Sequence, residues 1–325
     1  MSRLSWESSG AMPVEAAIIV RDLVRGFPGV KALDHLSFDV NYGEIFGLVG
    51  PDGAGKTTAM RILAGVLLPD SGSARVAGVD VTRDPERVKH NISYMSQRFG
   101  LYEDLTVEEN TRFYANVYGV RRQVYRERSK RLLEAAGMQS FRARLAGKLS
   151  GGMKQKLGLI CALIHTPRVL LLDEPTNGVD PVSRRDFWKI LYSLLGEGVA
   201  ILTSTAYLDE AERCHRVALL HEGHLLFCDK PDALKSHLHN SVVAIHTPDP
   251  RAVRGTIEKL PGVRNVVLVG DGIHLVVDDA VRFIPDLRKC LDAAAAKYGS
   301  VEAVTASLED VFVNAVESAA GVRHE

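Results

Sequence analysis

A glycine-rich segment that contains a lysine and two threonines is the clearest sign of chemistry in this sequence. Residues 50–58 read GPDGAGKTT and match the spacing G-x-x-x-x-G-K-[ST]. Glycines let such a loop curl so that its backbone N–H groups converge on phosphate oxygens. We expect Lys56 to neutralise the β- and γ-phosphates of a nucleotide and the Thr57 hydroxyl to bind Mg²⁺. The predicted nucleotide contacts are Gly50, Asp52, Gly53, Ala54, Gly55, Lys56, Thr57 and Thr58.

Two adjacent carboxylates follow an apolar run later in the chain. Residues 169–172 read VLLL, which predicts a buried strand, and Asp173 and Glu174 come directly after it. In open α/β sheets, ligands bind at the carboxyl ends of the strands. We expect Asp173 to hold Mg²⁺ and Glu174 to accept a proton from the water that attacks the γ-phosphate. Alone, two such acids more often cap a helix or form a turn; the phosphate-binding segment favours the catalytic interpretation.

A third segment, LSGGMKQ at residues 149–155, taken alone predicts a helix start with Ser150 as its N-cap. Together with the two segments above, in this order, it resembles the signature sequence of the ABC transporter ATPase family. The resemblance covers residues 16–235. It implies a P-loop NTPase cassette in which Ser150, Gly151 and Gly152 close over the ATP that is bound to a partner cassette.

Three single residues fit the same resemblance. It implies that Phe27 stacks on adenine, that Gln97 senses Mg²⁺ and takes part in catalysis, and that Asp180 reaches across a dimer of cassettes. Taken alone, Phe27 is a core or loop aromatic and Gln97 is one polar residue among many. Asp180 followed by Pro181 also predicts a helix N-cap, which is compatible with the family role.

The resemblance also implies partners. Two cassettes would bury two ATP molecules between them, and their opening and closing would drive a membrane permease that is a separate chain. Residues 307–312 (SLEDVF) are similar to the ending of exporter-type members. We therefore expect an export ATPase that lies on the inner face of the cell membrane through its permease. No nucleic-acid partner is expected.

One position departs from the family pattern. Family members place a histidine after the strand that corresponds to residues 199–202, in a context like T-H-Y-x-D-E-A-E, and this chain has Ala206 there. That histidine positions the attacking water, and losing such a group costs roughly 10²–10⁴-fold in rate. We expect His215 to lie on the following helix, too far away to replace it. The hypothesis is a slow site on this chain and a heterodimer with an intact second cassette.

Two other functions stay open at this stage. One is a non-transport ABC ATPase of translation or DNA repair, although the second cassette or long coiled coil of such proteins is missing. The other is a regulatory module that binds nucleotide with little hydrolysis, which Ala206 favours and which Lys56 and Glu174 oppose.

The bulk composition is that of a globular protein. The chain has 325 residues, a natural length for two domains. Its 40 lysine and arginine residues balance its 40 aspartate and glutamate residues, so no overall field attracts nucleic acid. No run approaches the roughly 18 apolar residues that span a bilayer. The four cysteines show no metal or disulfide spacing, and the histidines form no HxxxH motif. The basic run at residues 121–131 is interpreted as a solvated helix face.

The elements that must position these residues form an α/β core. Strands are predicted at residues 16–23, 34–41, 44–50, 169–172 and 199–202, with helical stretches between them. Residues 97–167 predict a helical subdomain, in which Thr106 and Glu109 form a capping box. Residues 16–238 would be the cassette and residues 1–15 a disordered lead-in. Residues 239–325 predict the order β-α-β-β-α-β of a small ferredoxin-like α+β domain, with a turn at residues 271–272.

Overall fold

The computed structural model describes residues 15–97, 100–238, 241–258, 260–270 and 272–322. Except for Glu15, the lead-in predicted to be disordered lies outside these residues, as does Asp271 of the predicted turn. The strands are β1 (Ala16–Phe27), β2 (Val30–Asn41), β3 (Ile45–Val49), β4 (Ser71–Val76), β5 (Val79–Asp80), β6 (Ile92–Met95), β7 (Val169–Asp173), β8 (Ala200–Thr205), β9 (Arg216–His221), β10 (His224–Asp229), β11 (Val242–His246), β12 (Val263–Val269), β13 (Gly272–Val277) and β14 (Val301–Val304). The helices are α1 (Lys56–Leu63), α2 (Pro85–Asn91), α3 (Val107–Val117), α4 (Arg122–Ala135), α5 (Gly151–Leu163), α6 (Pro181–Leu195), α7 (Leu208–Ala211), α8 (Pro231–Ser236), α9 (Pro250–Ile257), α10 (Ala280–Ala293) and α11 (Leu308–Val322).

The central sheet has six strands in the order β10-β9-β3-β8-β7-β6. β6, β7, β8, β3 and β9 are parallel to their neighbours, and only β10 is antiparallel. Every residue of β3, β7 and β8 is buried, which explains their continuous apolar runs. The predicted core strands are confirmed, while β6, β9 and β10 were not predicted. Because parallel strands share a direction, the residues that follow β3, β7 and β8 meet at one edge of the sheet.

A second, antiparallel sheet in the order β2-β1-β4-β5 forms another layer. The two strands predicted near the N-terminus are confirmed, and they extend into a long hairpin. Helix α1 packs between the two sheets, because one buried apolar cluster unites Val20 and Leu36 with Met60 of α1 and with Leu48 and Leu202 of the central sheet. This packing fixes the start of α1 against the ends of the central strands.

The segment between β6 and β7 is helical. It contains α3, α4 and α5, and among the described residues 100–167 its β-type pairing is an isolated bridge between Thr106 and Leu145. The predicted capping box is confirmed: Glu109 N–H donates to Thr106 Oγ1 at 3.2 Å, and Glu109 Oε2 accepts from Thr106 N–H at 2.8 Å. Helix α5 runs back toward β7, so it links this segment to the sheet.

The C-terminal segment has the predicted ferredoxin-like order. Its strands form a separate antiparallel sheet, β12-β13-β11-β14, with β11 and β13 at the centre. Apolar residues of this segment, such as Val242, Val276 and Val311, belong to the same buried cluster as Leu172 of β7. The small domain is therefore packed against the central domain. Across the described residues, no helix is both long enough and apolar enough to span a bilayer.

Candidate functional site

The loop between β3 and α1 depends on two glycines. Gly55 has φ +100°, and a Cβ atom there would lie 2.3 Å from the carbonyl oxygen of Ala32. A Cβ atom at Gly50 would lie 2.3 Å from the carbonyl oxygen of Leu220. Both positions therefore accept only glycine without a backbone shift. The loop borders an open cavity of about 490 Å³, which is also lined by Phe27, Gln97 and Glu174.

The first turn of α1 directs backbone donors toward this cavity. In an α-helix the first N–H groups have no acceptor within the helix, and Ala59 is the first residue of this turn whose N–H bonds back, to Gly55 O at 3.0 Å. The N–H groups of Lys56, Thr57 and Thr58 precede it. Together with the helix dipole they form a site that favours anions such as phosphate.

Lys56 contacts both the loop after β3 and the residue that follows β7. Its Nζ donates to the carbonyl oxygens of Gly50 at 2.8 Å and Pro51 at 3.0 Å. The same Nζ lies 3.1 Å from Glu174 Oε1, and only 4% of the Lys56 side chain is exposed. A buried ammonium group at this point provides a strong positive charge next to the anion-binding turn.

Asp173 collects three hydroxyl donors. Thr57 Oγ1 and Ser204 Oγ donate to Asp173 Oδ1, at 3.1 and 2.7 Å, and Tyr94 OH donates to Oδ2 at 3.2 Å. Burial and the neighbouring carboxylate raise the pKa of Tyr94 to about 12, so this phenol stays protonated. Thr57 and Asp173 present the hard oxygen ligands that Mg²⁺ prefers, and the hydrogen bond between them places them side by side.

Glu174 has an unusual backbone. Its φ is +49°, and its N–H lies 3.0 Å from Ser204 Oγ and 3.2 Å from Ser204 O. Gln97 Nε2 donates to Glu174 Oε2 at 3.1 Å, and Asn177 Nδ2 donates to the same oxygen at 3.4 Å. Backbone strain of this kind concentrates at functional sites. Both carboxylate oxygens are thereby fixed in direction, one toward Lys56 and one toward Gln97.

Ala206 lies beside this carboxylate. A smaller cavity of about 190 Å³ is lined by Ala206, Glu174, Asp52 and Tyr207. The prediction that His215 lies on the following helix is wrong: α7 ends at Ala211, and His215 stands just before β9. Its Nδ1 accepts the N–H of Ile45 at 3.1 Å, at the start of β3. His215 is therefore at the opposite edge of the sheet from the loop.

Sequence reasoning missed three residues that support the site. Tyr94 and Ser204 contact Asp173 from β6 and β8, the strands on either side of β7. Glu210 is 1% exposed and accepts hydrogen bonds from Thr176 and Thr205, the latter at 2.9 Å. For Ser204 and Glu210 the available signal was the segment STAYLDEAE, which was matched to the family without a role for these two residues.

The remaining predicted residues form a second group. Ser150 Oγ accepts from Met153 N–H at 3.3 Å and caps α5, and Asp180 caps α6. The two helix starts are in contact, since a Cβ atom at Gly152 would lie 2.3 Å from Ser183 Oγ and 3.3 Å from Asp180 Oδ2. Ser150, Gly151, Gly152 and Asp180 do not line the cavity at the loop. Phe27 does line it, is 43% exposed, and has the Arg25 guanidinium 5.0 Å from its ring centre.

Comparison with known proteins identifies the family. A family model described as "ABC transporter" matches residues 33–177. The chain is 36% identical over 301 residues to "Nod factor export ATP-binding protein I" of Paraburkholderia xenovorans, covering 92% of this chain and 96% of that one. It is 38% identical over 245 residues to "Daunorubicin/doxorubicin resistance ATP-binding protein DrrA" of Streptomyces peucetius, covering 75% and 74%.

A further relative is about twice as long. The chain is 46% identical over 267 residues to "Probable multidrug ABC transporter ATP-binding protein YbhF" of Escherichia coli, covering 81% of this chain and 46% of that protein. Among solved structures, the "ATP binding subunit of ABC transporter" aligns with a TM-score of 0.63 at 30% identity, over 68% of this chain and 92% of that one. The chain belongs to the ABC transporter ATP-binding proteins.

Proposed function

We propose that this chain binds MgATP at residues 50–58 and hydrolyses it to power export through a separate membrane permease. The observation that carries the proposal is the convergence of Lys56, Thr57, Gln97, Asp173 and Glu174 at one edge of the central sheet. These residues come from three segments that lie far apart in the sequence. A shared role in phosphate chemistry explains why the loop after β3, the end of β7 and Gln97 lie together.

Each side chain has a task in this proposal. Lys56 and the first turn of α1 bind the β- and γ-phosphates, and Thr57 and Asp173 hold Mg²⁺. Mg²⁺ held by these two residues would supply positive charge against the phosphates. Glu174, positioned by Lys56 and Gln97, accepts the proton of the attacking water. Phe27 at the rim of the cavity stacks on the adenine, which its exposed ring supports.

A second cassette completes the site. Ser150, Gly151, Gly152 and Asp180 are grouped away from the chain's own phosphate loop, so they are free to close over the ATP of a partner. The partner is an intact cassette rather than a second copy, because Ala206 lacks a hydrogen-bonding side chain beside Glu174. The chain's own site then hydrolyses ATP slowly.

Export as the direction of transport rests on the printed names of the relatives, which concern drug resistance, multidrug transport and Nod factor export. The chain would lie at the inner face of the cell membrane, held there by its permease. Nucleic acid is not a partner. A pull-down from detergent-solubilised membranes tests this assignment: an integral membrane protein is expected to co-purify. Recovery of ribosomes or DNA with no membrane protein would contradict it.

Hydrolysis is tested with Glu174→Gln. The substitution keeps the shape and removes the base, so phosphate release should fall by roughly 10²–10⁴-fold while MgATP still binds. Glu86→Gln, the same change at a 76% exposed carboxylate of α2, serves as the control. Equal phosphate release by the unaltered chain and Glu174→Gln would overturn the catalytic part of the proposal.

A further inference from the structure

A third cavity, which is rich in positive charge, lies between α3 and α4. None of its lining residues belongs to the loop at residues 50–58. It measures about 580 Å³, within the range of small-ligand sites. We call it the α3–α4 groove. Its charged lining residues are Glu108, Arg112, Arg122, Arg126, Lys130 and Arg142.

The positive charges of the groove are only partly balanced. Glu108 Oε1 serves both Arg112, at 2.8 Å, and Arg142, at 3.3 Å. Within the part of the chain that the structure describes, Arg122, Arg126 and Lys130 have no carboxylate partner. The neighbouring acids of α4, at positions 127 and 134, do not line the groove. The cavity therefore carries one negative and five positive side chains.

The arrangement of these cations on α4 is unfavourable for the helix itself. Arg122, Arg126 and Lys130 follow one another at four-residue spacing, so like charges are neighbours on one face. The first turn of α4 has no acidic residue, and its N-cap Arg121 forms no side-chain cap, so positive charge stands at the positive end of the helix dipole. A bound anion would relieve both effects.

The floor of the groove is rigid and polar. Tyr125 is 6% exposed, and its OH lies 3.1 Å from Thr111 Oγ1 and 3.2 Å from Glu108 O. The Arg112 guanidinium lies 6.0 Å from the Tyr125 ring centre. Guanidinium groups match phosphate oxygens in pairs, and the charges here come from two helices and the turn at Arg142. Such a concave cluster suits a compact anion with several charges better than an extended acidic strand.

We propose that the α3–α4 groove binds a phosphate-bearing anion with at least two negative charges, free in solution or as the head group of a lipid. This site is separate from the nucleotide site and does not depend on hydrolysis. Binding weakens as salt is added, because the interaction is between charges at a solvent-facing cavity.

The test uses the full chain with Lys56→Ala, which removes phosphate binding at the other site. Pyrophosphate is titrated calorimetrically into this chain, into a version with Arg126→Gln and Lys130→Gln added, and into a control with Arg282→Gln and Lys289→Gln added on α10. Glutamine preserves helix propensity, and thermal melting checks each fold. A parallel flotation assay uses phosphatidylcholine vesicles with and without cardiolipin, whose head group carries two phosphates.

A loss of at least about tenfold in affinity for either probe, in the groove variant and not in the control, supports the proposal. If only pyrophosphate binding is lost, the ligand is a free solute. If only binding to the anionic vesicles is lost, the ligand is a lipid head group. Equal binding by the groove variant and the control in both assays would overturn it. So would tighter binding of a polyglutamate peptide than of either phosphate probe, since the groove would then be an acidic-peptide site.

Discussion

The ammonium group of Lys56 lies 3.1 Å from the carboxylate of Glu174, and the two side chains are 4% and 12% exposed. The pair joins the loop after β3 to the end of β7, two strands that are separated in the sheet by β8. Removing one charge from a buried pair leaves the other without compensation. In the proposed function, phosphate binding and the orientation of Glu174 are thus connected through one lysine.

Gly55 should tolerate a side chain less well than a glycine with a similar backbone outside the site. Gly55→Ala is expected to weaken MgATP binding by at least tenfold, because its Cβ would lie 2.3 Å from Ala32 O. Gly78→Ala, in the turn between β4 and β5, is the matched control: its φ is +78° and nothing lies within 4 Å of the new Cβ. It should lose roughly 1–2 kcal/mol in the free energy of unfolding and bind MgATP like the unaltered chain. Fluorescent-nucleotide titration measures the affinities and urea unfolding the stabilities, and equal affinities of the two variants would contradict the crowding at Gly55.

Restoring an imidazole at position 206 should accelerate hydrolysis. Ala206→His is expected to raise phosphate release by the purified chain roughly 10²-fold, since a positioned catalytic group typically contributes that much. Ala206→Leu adds bulk to the same small cavity without a hydrogen bond, and it should not accelerate the reaction. If the unaltered chain already hydrolyses ATP at the rate of the histidine variant, the idea of a slow site is wrong.

The C-terminal end of β8 is held by a buried carboxylate. Glu210 accepts hydrogen bonds from Thr176 and Thr205 and lies 3.3 Å from Arg184 Nε. Glu210→Ala should lower the free energy of unfolding by about 3 kcal/mol, because the buried hydroxyl groups of Thr176 and Thr205 lose their acceptor. Asp209→Ala removes a 61% exposed carboxylate from the same arginine and should cost less than about 1 kcal/mol. Urea unfolding of the two variants decides, and similar losses would contradict the role of Glu210.

The small domain should show a pH-dependent contact between β13 and α11. His274 Nδ1 lies 3.0 Å from Asp310 Oδ2, and Asp310 is fully buried. The hydrogen bond to Asp310 raises the pKa of His274 against partial burial. Burial alone would raise the pKa of Asp310, yet the bonds from His274 and Ser307 bring it below its ordinary value.

The sign of this dependence follows from both shifts. The stabilisation of the fold by protonated His274 is complete below the ordinary histidine pKa of about 6.5. It is lost as pH rises through the raised pKa. The Asp310 contribution is complete above about 3.9 and is lost as pH falls through the lowered pKa. His274→Gln should therefore lower the melting temperature most between about pH 4 and 6.5, and least once the pH exceeds the raised pKa of His274. His90→Gln, on the exposed end of α2, is the control; a pH-independent loss in His274→Gln would contradict the pairing.

The parts of the fold that the sequence predicted are those with local signals. The buried strands β3, β7 and β8 are continuous apolar runs, and the capping box at Thr106 is read from a four-residue pattern. The strands β4, β5, β6, β9 and β10 were not predicted. β6 and β10 are the outer strands of the central sheet, and β10 is only half-buried. No local pattern marks where such strands join the central sheet.

The residues of the candidate site were likewise predictable only where the signal is local. Lys56, Asp173 and Glu174 follow from short motifs, whereas Tyr94 and Ser204 support Asp173 only because β6 and β8 flank β7. That adjacency arises from strands that are distant in sequence. His215 was misplaced because a helix was expected to continue past Ala211, where the chain instead turns to enter β9.

In the proposed function, the loop at residues 50–58 binds the phosphates of a nucleotide through Lys56. Calorimetric titration should show that the unaltered chain binds MgATP and that Lys56→Ala lowers this affinity by at least about 10²-fold. Lys89→Ala, which removes an exposed lysine paired with Glu86, should bind like the unaltered chain. No MgATP binding by the unaltered chain, or the same affinity in Lys56→Ala, would contradict the account.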